Sequence, residues 1–199
     1  RNQMQASRFE LKYVVNEELT LQIRDIARCH LDLDENSIGK PDFSYPVHSL
    51  YLVSDALLMY WNTINGDRNR FKLRIRFYNE NPETPVFFEI KRRVNNCIKK
   101  QRAGVRREAV SSVLAGHVPH GANILSNDAK HVFALQEFVR LAQRVEARPK
   151  LHVAYRREAY VPREDNLARL TLDRDVRSEP DPAARLSTHM RNPRLTWDK

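Results

Sequence analysis

The chain has 199 residues, 41% of them hydrophobic and 30% charged, which suits a single globular domain with a real core and sets global disorder aside. Its 34 lysines and arginines outnumber 25 acidic residues for a formal charge of +9, so the expected partners are polyanions: phosphate chains, nucleotides, nucleic acid or acidic lipid. No run of about 18 apolar residues is present to form a spanning helix, and the two cysteines, Cys29 and Cys97, have neither disulfide-framework nor metal spacing, so a reducing, cytoplasmic setting is expected.

In chain order, Arg8 to Val14 alternates polar and apolar residues and predicts a strand. A helix follows, with Asn16 as N-cap, Glu17 and Glu18 at the positive end of its dipole, and an apolar stripe of Leu19, Ile23, Ile26 and Ala27. Val47 to Val53 reads as the next strand, and Asn65-Gly66-Asp67 as a turn. Arg70 to Asn79 and Val86 to Arg93 form a hairpin pattern, and a basic loop leads to a strand at about Lys99 to Val110. Between Asp128 and Ala147, Val132, Leu135, Val139, Ala142 and Val145 recur at helical spacing, with Phe133 and Phe138 alongside. Pro149 is expected to end that helix, with strands at about Leu151 to Val161 and Leu167 to Val176. Ser178 to Lys199 shows no period. The fold class is α+β with mostly antiparallel strands.

One face of these strands is unusually charged. In Phe71 to Phe77, alternation puts Lys72, Arg74 and Arg76 on one side and four apolar residues on the other. Three like charges along one strand repel unless solvent or an anion relieves them. A solvated face would read the same from this strand alone, so repetition elsewhere matters. Glu10-Leu11-Lys12 and Glu89-Ile90-Lys91 each set a carboxylate and an ammonium on one face, and Arg157 and Arg169 lie within later strands. Arginine forks onto phosphate oxygens, lysine supplies point charge, and carboxylates hold a divalent cation. The seven histidines do not cluster at metal-ligand spacing. The cations lie on strand faces rather than along a helix, so duplex nucleic acid is not expected as partner.

The order of short motifs at Arg8 to Tyr13, Ser49 to Tyr51, Lys72 to Tyr78, Phe88 to Lys91, Lys99 to Arg102, Pro149 to Tyr160 and Arg169 to Asp173 resembles the VTC domain of the triphosphate tunnel metalloenzymes. That resemblance implies an antiparallel β-barrel with flanking helices, its tunnel lined by basic residues that bind triphosphate and a divalent metal, Mg²⁺ or Mn²⁺. It also implies transfer of the γ-phosphate of ATP to inorganic polyphosphate, with a triphosphatase or a non-catalytic polyphosphate-binding module as alternatives. Carried over by motif, the phosphate ligands are Lys12, Lys72, Arg74, Arg76, Lys91, Arg157 and Arg169, with Lys99 from the basic turn and Lys100 and Arg102 close by. Glu10 and Glu89 are the expected metal ligands. The family's further E-x-K strand has no match between Ser178 and Lys199, so residues 1–199 are expected to form a single tunnel domain incomplete at its carboxyl end.

Overall fold

Most of the alternating segments form strands, and the computed structural model describes residues 10–95, 97–118, 121–163 and 169–196. Helix α1 (Glu17–His30) is followed by β1 (Leu31–Leu33), β2 (Ser44–Val53), α2 (Leu58–Ile64), β3 (Asn69–Phe77), β4 (Val86–Val94) and β5 (Cys97–Val105). Then come α3 (Val110–Leu114), α4 (Ala129–Arg144), β6 (Arg148–Pro162), β7 (Leu170–Pro180) and β8 (Arg194–Leu195). The strands form one antiparallel sheet in the order β5-β4-β3-β2-β6-β7-β8, and β1 also pairs with β6.

The expected closed barrel is not what this pairing gives. It stops at β5 on one side and at the two-residue β8 on the other, and among the described residues nothing joins those edges. The expected first strand is also absent where it is described: residues 10–15 form no ladder, and Leu11, Tyr13 and Val14 are exposed. Arg8 and Phe9 lie outside the described residues.

Alternation sorts the sheet into two faces. Leu73, Ile75 and Phe77 of β3 and Phe88 and Ile90 of β4 point into the core, where Leu135, Phe138 and Leu141 of α4 cover them. Phe88 and Phe138 meet edge to face at 4.9 Å, a favoured aromatic geometry. Asp128 caps α4 through Lys130 N, and Pro149 lies inside β6 rather than ending the helix.

Helix α1 forms as its cap predicts, with the Asn16 side chain accepting from Leu19 N at 2.9 Å. Of its expected stripe, Ile23 and Ala27 pack on Tyr160 and Leu172 while Leu19 and Ile26 remain exposed. An ion cluster holds it down. Arg24 forks onto the fully buried Glu158, which also accepts from Arg174 at 3.0 Å and from Tyr160.

Under the core face His48 and His152 share a 3.0 Å hydrogen bond, with His48 stacked on Phe77 at 5.1 Å. Burial, and then the neighbouring His152, push the His48 imidazole down to about 4, against a weaker upward pull from Glu80. Burial also lowers His152, opposed by Asp181 and Glu179. A base whose folded pKa is depressed is neutral in the fold and takes up a proton on unfolding between that value and its ordinary one. His48 should therefore cost the fold about 2 kcal/mol as pH drops from 7 to 5. Urea titrations at the two pH values check this, and His48→Gln should flatten the difference.

Candidate phosphate-binding face

The other face of the sheet collects the cations, and strand register fixes their neighbours. Arg74 stands between Tyr51 and Glu89, and Glu89 between Arg74 and Arg102. One step along, Lys72 pairs with Lys91 and Lys91 with Lys100. One step the other way, Arg76 lies between Ser49 and Phe87. These rows follow from period-two alternation combined with antiparallel pairing.

Glu89 is the internal counter-ion. It is 0% exposed and receives Arg74 Nε at 2.8 Å on one oxygen, with Lys100 Nζ at 2.9 Å and Arg102 Nε at 3.5 Å from the other. Burial pushes its carboxyl up, but Arg74, Arg76 and Lys100 outweigh that and hold it at about 2. Burial also brings the Lys100 ammonium down to about 8, against the opposing pull of Glu89. The Arg74 Nη1 donates to Tyr51 at 3.3 Å, and the phenol of Tyr51, which burial alone would raise, is lowered by Arg74.

Arg76 is the most telling residue. It is 6% exposed, and its hydrogen-bond partners are neutral hydroxyls: Ser49 Oγ at 3.4 Å and Tyr155 OH at 3.1 Å. A buried charge is costly unless an opposite charge answers it. The hydroxyls orient the guanidinium, and Glu89 acts on it across space with no direct ion pair among the described residues, which leaves its N–H groups open to a further anion on this face.

The row continues onto β6 with Arg157 and to Arg169, which stands just before β7 rather than within a strand as expected. Arg157 lies over the Tyr155 ring at 5.0 Å and forks onto Asp173 with two 2.7 Å bonds, and Arg169 donates to Asp34 at 2.8 Å. Each of these arginines is thus matched by an aspartate, unlike Arg76. Lys12 and Glu10 reach the face from the irregular segment before α1, where Glu10 contacts Lys91 and lies 3.5 Å from Lys12.

Lys99 lies on the opposite side of the sheet from the ladder. It pairs with Arg92, whose side chain donates to Glu137 of α4, so Lys99 belongs to the helix side of the sheet and Lys100 takes its place. The register of β5, which begins with Cys97 opposite Val94, decides between the two. Ser49 and Tyr155 carry no mark of their own in the sequence, although both lie inside the motifs of the resemblance. Only the long-range pairing of β2, β3 and β6 brings them to Arg76.

The two carboxylates expected to hold metal fare differently. Glu89 does not suit a divalent ion, since its oxygens already sit among Arg74, Lys100 and Arg102. Glu10 remains partly accessible beside two lysines. Among the described residues no three His, Cys, Asp or Glu side chains gather as a metal cage, and no helix is long and apolar enough to cross a membrane.

A family model described as the VTC domain matches residues 7–196. No curated protein matches the chain.

Proposed function

The chain belongs to the VTC domain family, and from that premise we propose that its basic face binds a nucleoside triphosphate and passes the γ-phosphate to the end of a polyphosphate chain. The family includes polyphosphate polymerase catalytic domains and is metal-dependent in general. The observation that carries the reading is Arg76: a buried guanidinium held by hydroxyls, on the same sheet face as Arg74, Lys72, Lys91, Lys100 and Arg102.

In the proposed step a terminal oxygen of polyphosphate bonds to the γ-phosphorus as the bond from that phosphorus to the β-bridging oxygen breaks, releasing the nucleoside diphosphate. Charge spreads over the three equatorial oxygens, and the arginines and lysines of the ladder would stabilise it along the length of the phosphate chain. Ser49, Tyr51 and Tyr155 hold Arg74 and Arg76 in orientation. Mg²⁺ or Mn²⁺ arriving with the triphosphate would neutralise part of its charge, and Glu10 is the accessible carboxylate able to meet it.

Incubation with ATP and Mn²⁺, followed by separation of long polyphosphate from orthophosphate, tests the reading. Chain growth is the expected result, and it should stop in excess chelator while triphosphate binding persists in part. Orthophosphate alone would replace the polymerase with a triphosphatase. Tight binding without any turnover would leave a polyphosphate-binding module.

A further inference from the structure

The ladder of cations does not account for every side chain on the basic face. Tyr78 stands two residues beyond Arg76, just past the end of β3 at Phe77, and its ring lies beside Phe87, the residue that pairs with Arg76. Tyr45 lies 6.3 Å from it on one side and Phe87 6.2 Å on the other, measured between ring centroids. All three are partly exposed and none belongs to the hydrophobic core. Arg102 rests 3.5 Å from the centre of the Phe87 ring and donates to the Tyr78 hydroxyl at 3.5 Å. Three aromatic side chains thus crowd one end of the face, while Lys72, Lys91 and Lys100 occupy the other.

Resting on the reading that the ladder holds a triphosphate, we propose that Tyr78, walled by Tyr45 at a tilt of 54° and by Phe87 edge-on at 69°, offers its ring as the platform on which the base of a nucleoside triphosphate stacks. Its phosphates then run from Arg76 toward Lys72 and Lys91. A nucleotide is anionic at one end and π-faced at the other, and the face presents cations and rings in the matching order. Two residues separate Arg76 from Tyr78, about 7 Å of extended chain at the end of β3, which leaves room for one sugar between phosphate and base. Stacking on ring faces tolerates any base, so the platform selects nucleoside triphosphates as a class rather than adenine. Inorganic triphosphate has nothing to place on it.

Calorimetric titration of the intact chain with ATP and with tripolyphosphate tests this in the wild type, Tyr78→Ala and Tyr78→Phe. Tyr78→Ala should weaken ATP by about five- to a hundredfold and tripolyphosphate by less than about twofold. Tyr78→Phe, which keeps the ring and loses the contact to Arg102, should retain ATP affinity. Unchanged ATP binding in Tyr78→Ala, or an equal loss for both ligands, would overturn the platform and leave the ladder standing. Failure of the wild type to bind either ligand would instead overturn the ladder, and the platform with it.

Discussion

Replacing both Arg74 and Arg76 with alanine should weaken triphosphate binding by at least ~3 kcal/mol, roughly a hundredfold or more in Kd, taking about 1.5 to 3 kcal/mol for each charge-assisted contact. Arg76 is expected to dominate, because among the described residues its hydrogen-bond partners are hydroxyls and Glu89 acts on it only across space, whereas Arg74 already donates to Glu89. Single substitutions measured by calorimetry should rank Arg76→Ala as the costlier. Arg157→Ala should cost less than either, since Arg157 must leave its two bonds to Asp173 before it can serve a phosphate. Unaltered affinity in a folded double variant would remove the ladder from the binding site.

The second large effect concerns the counter-ion. Glu89→Gln takes away the buried charge that Arg74, Lys100 and Arg102 share, leaving their repulsion unanswered. Removing one partner of a buried ion pair typically costs about 3 to 5 kcal/mol, so urea stability should fall by that order at neutral pH. Tripolyphosphate should restore part of it, because an anion that binds only the folded chain stabilises by about 2.7 kcal/mol at a hundredfold excess over Kd. If Glu89 instead served as a metal ligand, the variant would keep its stability and lose the metal dependence of binding.

Local periodicity is enough to make the ladder legible. Phe71 to Phe77 alternates without interruption, so Lys72, Arg74 and Arg76 share a face whichever strands flank them. The basic turn is less legible: Lys99, taken from the motif of the resemblance, sits in a run of Lys99-Lys100-Gln101-Arg102 that offers cations on both faces, and the pairing of β5 with β4 puts Lys100 and Arg102 on the ladder's side. Arg8 to Val14 has a strand's pattern, but a strand needs a partner, and the described part of that segment has none in the sheet. Helix α2 is hidden for the opposite reason. Leu57, Tyr60, Trp61 and Ile64 recur at helical spacing but face outward, with Met59 alone buried, so the run has no polar side to mark it as amphipathic. Arg76 can be placed on the cationic face from sequence, yet its hydroxyl partners arrive from residues 27 and 79 positions away.

A competition experiment tests most directly whether the basic face grips a short, dense run of phosphates. Labelled tripolyphosphate bound to the chain is displaced by unlabelled short-chain polyphosphate or by duplex DNA, compared per phosphate at fixed salt, since both polyanions bind more weakly as salt rises. Convergence of Lys72, Arg74, Arg76, Lys91 and Lys100 on one sheet face predicts displacement by polyphosphate at far lower phosphate concentration, and a marked loss of that preference in Arg76→Ala. Equal competition by DNA, with no change in the variant, would mean that the cations form an unspecific external patch and would contradict the account.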